Sequence, residues 1–82
     1  MRIFAICKTL NGGYESDKSR MKKSGIQVGD KIEVECAQVY DYYTKIWLVG
    51  HGDCFNSIYF DFVDENGEEH DLYRNERFRH YY

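Results

Sequence analysis

The groups able to carry chemistry in this 82-residue chain are few and loosely spaced. His51-Gly52-Asp53-Cys54 puts an imidazole and a thiol three positions apart in a glycine-rich stretch. A nucleophilic thiol needs a base beside it and donors aimed at an oxyanion, and this spacing specifies neither. A metal reading needs two further ligands, for which His70, His80 and nearby acids are the available donors, at separations that match no zinc signature. Cys7, Cys36 and Cys54 are an odd number of thiols without a C-x-x-C pair, so neither a zinc knuckle nor a disulfide framework is signalled. Cys7 and Cys36 fall at apolar strand positions and read as small core hydrophobes, which suits a reduced, cytoplasmic compartment. Gly50-His51-Gly52 is no phosphate cradle, because no helical pattern follows it. The expectation is therefore no catalytic residue, no metal, no cofactor and no enzyme.

Charge and aromatic clusters say more. Asp61, Asp64, Glu65, Glu68, Glu69 and Asp71 crowd one short stretch without the spacing of a calcium loop. Lys18, Arg20, Lys22 and Lys23 form a basic run suited to phosphate. Either cluster is also what an ordinary solvated turn or loop looks like. Tyr40, Tyr42, Tyr43, Tyr59, Tyr73, Tyr81 and Tyr82 exceed what one small core can bury with every hydroxyl satisfied. Such rings supply contact area at protein interfaces and stacking platforms for bases.

The charge is unevenly spread. Residues 1–27 hold six bases and two acids, and residues 28–73 hold eleven acids and two bases. An acidic surface repels a phosphate backbone and steers toward basic partners, such as the nucleic-acid channels of other proteins. The expected partner is a protein with a basic surface. It would meet Tyr59, Asp61, Asp64, Glu65, Glu68, Glu69, Asp71 and Tyr73. The alternative is a nucleic-acid-binding domain that uses Lys18, Arg20, Lys22 and Lys23 with the surface tyrosines.

Positioning these groups falls to one small domain over residues 1–82. Apolar residues make up 43% and charged residues 30%, a balance that excludes both a disordered segment and a membrane protein. No apolar run approaches the ~20 residues that span a bilayer, and Met1-Arg2-Ile3-Phe4 opens a strand-like run rather than a signal peptide. Thirteen Tyr and Phe with Trp47 supply the bulk that a core this small needs.

Ile3–Cys7 is a short β-prone run that Asn11-Gly12-Gly13 breaks. Residues 14–24 are polar and fit a long loop or a frayed helical turn equally well. Ile32, Val34 and Cys36 alternate with glutamates, so the three face inward. Tyr43 to Val49 alternates again at Ile46 and Leu48. From Ser57 to Val63, Ile58, Phe60 and Phe62 share one face, with Tyr59 and Asp61 on the other. Asp64-Glu65-Asn66-Gly67 is a hairpin turn, because Asn-Gly tolerates positive φ, and Glu68 to Tyr73 returns as its partner strand. The tail from Arg74 to Tyr82 is long enough for one helical turn.

Five short strands, tight turns and one long early loop describe a mainly β fold, a small five-stranded antiparallel barrel. The run Gly25-Ile26-Gln27-Val28-Gly29-Asp30-Lys31-Ile32-Glu33-Val34 resembles the approach to the second strand of Src-homology-3-like barrels. The hairpin through Asp64-Glu65-Asn66-Gly67-Glu68-Glu69 is also similar to theirs. Residues 9–24 depart from that pattern, being longer than its usual first loop. Short proteins of phages and mobile elements look like this. The resemblance implies a phage accessory protein, such as an inhibitor of a host defence or nucleic-acid-processing protein. It assigns no role to any named residue.

Overall fold

In a computed structural model the structure describes residues 2–40 and 43–70. Strand β1 (Ile3–Cys7) alternates as its sequence requires, with Ile3, Ala5 and Cys7 buried and Phe4 and Ile6 half-buried. It lies in the middle of the sheet. Ala5 stands opposite Ile32 of β2 (Lys31–Val39) on one side and Phe62 of β5 (Phe60–Asp64) on the other.

Strand β2 is long enough to serve both halves of the sheet, pairing β1 through its first residues and β3 (Thr44–Leu48) through its last. Between those halves sits a bulge: Val34 faces Leu48 while Cys36 faces Trp47, leaving one extra residue on β2. An extra residue reverses the inward–outward alternation beyond it. Val34 therefore packs on the core, Cys36 is exposed, and Ala37 opposite Ile46 takes the inward position. This corrects the expectation that Cys36 faces inward.

The polar run 14–24 resolves as helix α1 (Glu15–Ser24). Acids occupy its first turn at Glu15 and Asp17, and bases its last at Lys22 and Lys23, both favourable to the helix dipole. The Tyr14 N–H at the helix start donates to the Asp17 carboxylate at 3.0 Å. At the other end Gly25, with φ 75°, takes the left-handed conformation that terminates a helix. Met21 is the one helix residue that is buried, and Ile26 follows it into the core just past the end.

The expected single strand from Ser57 to Val63 is also corrected. Asn56 caps a 3-10 turn over Ser57–Tyr59 by accepting the Ile58 N–H at 3.1 Å. That turn separates a short strand β4 (Cys54–Asn56) from β5. With β6 (Glu69–His70) the described residues form six antiparallel strands in the order β4-β3-β2-β1-β5-β6. The sheet is open: β4 and β6 lie at opposite edges, and no pairing joins them among the described residues. The mainly β class holds, and among the described residues six strands in one open sheet with one helix stand where five strands closing into a barrel were expected.

The core gathers Ile46, Leu48, Phe60 and Phe62 as the alternation predicts, with Ile32, Val34 and Ile58 only partly buried around it. Phe55 and Tyr59 complete it. Among the described residues no helix is long and apolar enough to cross a membrane. The expected C-terminal helical turn lies outside the described residues.

Candidate functional site

The β5–β6 hairpin is where most of the acidic cluster meets. The Gly67 N–H donates to the Asp64 carbonyl at 3.0 Å, and the Asp64 N–H to the Glu68 carbonyl at 2.9 Å. Only Gly67 of the turn has positive φ, 86°, so the turn carries three loop residues and needs one glycine rather than an Asn-Gly pair in left-handed geometry.

Asp64 is not a solvated turn residue. It is 4% exposed, and its Oδ1 accepts the N–H groups of Asn66 at 2.8 Å and Glu68 at 3.0 Å. Its Oδ2 lies 2.9 Å from His70 Nε2. The His70 hydrogen bond, ahead of the two backbone donors, holds the Asp64 carboxyl below the usual carboxylate range. A carboxylate with a depressed folded-state pKa stabilises above its unfolded value of about 3.9, and that contribution is lost as pH falls through the folded pKa. In the presence of a chelator, wild type should therefore lose thermal stability more steeply as pH falls from about 5 to below about 3 than Asp64→Asn, which has no carboxylate to titrate. Parallel pH profiles for the two proteins would show that Asp64 contributes nothing through its charge.

Around this brace Glu65, Glu68 and Glu69 are exposed. Asp61 is half-buried on β5 and lies 3.4 Å from Lys8 Nζ, so it is partly neutralised within the chain. Tyr59 does not join the surface, which corrects its expected outward position. The 3-10 turn rotates it into the core, where it is 0% exposed and its hydroxyl donates to the Gly12 carbonyl at 2.7 Å. Burial raises its phenol pKa. Asp71 and Tyr73 lie outside the described residues.

The basic run does not form one patch. Helical spacing puts Lys18 and Lys22 on one flank of α1, beside a cleft with Leu10, Met21, Ile26 and Gln27. Arg20 and Lys23 lie on the other flank, in a groove with His51, Asp53 and Phe55. Glu15 lies 3.7 Å from Lys18, while Asp17 and Asp53 lie 3.7 Å and 3.6 Å from Arg20. Two of the four bases are thus answered by acids of the chain itself.

A second aromatic constellation escaped the residue-type reading. Tyr14 and Tyr43 line a cleft of about 240 Å³ with Arg20, Lys45 and Phe55 between α1 and the β4 edge. Tyr40 stacks on Tyr43 at 4.9 Å between ring centroids, and Lys45 Nζ lies 5.7 Å from the Tyr40 ring. Only the tyrosine count in the sequence hinted at it. His51 packs edge-on against Phe55 at 5.7 Å, which gives the imidazole a packing role. Cys54, half-buried on β4, stands opposite Trp47.

These features define a small, mainly β protein whose described residues form one antiparallel sheet, one helix and a braced acidic turn at one sheet edge. A family model described as bacteriophage T4 protein Y07B matches residues 2–82, and the chain belongs to that family. No curated protein and no solved structure matches it.

Proposed function

We propose that this protein is a phage accessory protein that works by binding another protein, without catalysing a reaction, through the acidic β5–β6 turn. The observation that carries the reading is the braced turn itself. The Asp64 carboxylate fixes the backbone that displays Glu65, Glu68 and Glu69 to solvent. A pre-organised acidic knob loses little freedom on docking, and its charge speeds encounter with a basic surface. The chemistry that suits it is a host protein that itself handles nucleic acid, which it would block as an inhibitor. Family membership supports the phage setting. Strand order, the bent β2 shared by two half-sheets and the 3-10 turn before β5 support assigning the fold to the Src-homology-3-like class.

The test is capture of the partner from host extract, followed by binding kinetics with the purified pair. Replacing Glu65, Glu68 and Glu69 together by Lys is expected to lower the association rate at least about tenfold at low salt, with a much smaller change in dissociation. High salt should reproduce part of the loss in wild type. Indifference to the triple change would move the functional surface elsewhere. The second reading, nucleic-acid binding, is favoured by one observation, the cleft where Tyr14 and Tyr43 meet Arg20 and Lys45. Under that reading the protein binds single-stranded oligonucleotide at low salt, and the triple Lys change strengthens the binding.

A further inference from the structure

The hairpin brings together three donors of a kind that the linear spacing concealed. Asp64, Glu68 and His70 each present a ligand atom, and these atoms all lie within 4.8 Å of one another. Two of the three come from opposite arms of the turn, Asp64 at the end of β5 and His70 on β6. We propose that they form a binding site for a first-row divalent cation of the zinc type.

The group differs from a patch of surface acids in composition and in burial. It contains an imidazole nitrogen, which zinc-type ions favour and magnesium or calcium does not. Its central carboxylate is almost wholly buried, and among the described residues Oδ2 meets only that imidazole. Oδ1 is committed to two backbone N–H groups, which orient the carboxylate as a supporting shell does in metal sites. Among the described residues Oδ2 has the His70 nitrogen as its one partner at 2.9 Å, which leaves a lone pair for an ion.

That separation is slightly shorter than a shared ion needs. Two ligands about 2.1 Å from a tetrahedral ion are about 3.4 Å apart. An ion can thus take the place of the single proton between Oδ2 and Nε2 once the two side chains draw apart by about half an ångström. Glu68 is exposed and free to swing its carboxylate in as the third ligand. Three protein ligands leave positions for water or for a side chain of a bound partner. This inference shares Glu68 with the docking surface, and its test separates the two because it uses the isolated protein.

The experiment is isothermal titration of the purified protein with zinc chloride near pH 7, with magnesium chloride in parallel and thermal midpoints as a second readout. One zinc per chain, at least about tenfold tighter than magnesium, with a raised midpoint, is the expected result. Glu68→Gln, at an exposed position, should keep the fold and weaken zinc at least about tenfold, and His70→Ala should abolish binding. Three outcomes overturn the site: no zinc uptake, equal affinity for zinc and magnesium, or wild-type zinc affinity in Glu68→Gln. The last would place the ion elsewhere, for instance at His51 and Cys54.

Discussion

Phe60→Ala is expected to lower the free energy of unfolding by about 3–5 kcal/mol. Phe60 is 0% exposed at the start of β5, packs edge-on against Phe55 at 6.5 Å and lies 6.5 Å from Phe62. It therefore ties β4, β5 and the central β1, whose Cys7 stands opposite it, into one core. Truncation loses the transfer free energy of the ring and leaves a cavity that a rigid sheet closes only in part. Against a total stability of about 5–15 kcal/mol, the variant should be largely unfolded in mild urea. Urea titration followed by fluorescence of the single Trp47 measures it. An unchanged midpoint would show that the sheet closes over the lost volume.

A pair of changes at Tyr59 should separate ring from hydroxyl. Tyr59→Ala is expected to cost about 3–5 kcal/mol for the buried ring, as large aromatic truncations do. Tyr59→Phe keeps the ring and removes only the donor to the Gly12 carbonyl, for about 1 kcal/mol. The smaller change should still have a local signature, because that hydrogen bond fastens the segment leading into α1 onto the core. Amide hydrogen exchange at residues 11–14 should accelerate in Tyr59→Phe while the strands stay protected. Uniform acceleration across the sheet would mean that the hydroxyl holds the whole fold.

The strands that alternate cleanly were legible from residue types. Ile3–Cys7 and the inward positions Ile46 and Leu48 follow from period-two spacing alone. Three features were hidden for physical reasons. Helix α1 has one buried side chain, Met21, so no apolar stripe announced it; its signals were the acid-to-base gradient and the Gly25 stop. Strand β4 is three residues long, too short to show a period. The bulge after Val34 reverses the faces of β2 with no mark in the sequence, since Cys36 and Ala37 are equally small and apolar. Of the proposed docking surface, the exposed Glu65, Glu68 and Glu69 stood where the turn signal put them. Tyr59 was misplaced because a 3-10 turn, not a strand, carries it. The Asp64–His70 contact links two strands, and linear spacing cannot show such a meeting.

The place of β1 in the middle of the sheet has a kinetic consequence. Its two neighbours come from much later in the chain: Ile3 stands opposite Asp64, and Phe4 lies between Glu33 and Val63. During synthesis this early segment emerges with neither flank available, and it remains unpaired on its second edge until β5 has left the ribosome. Closing so long a loop is slow relative to forming local hairpins, so folding should occupy the millisecond-to-second range of β proteins rich in non-local pairings. Until then, Ile3, Phe4 and Ile6 form an open apolar edge, the segment that a chaperone or a second nascent chain would meet first.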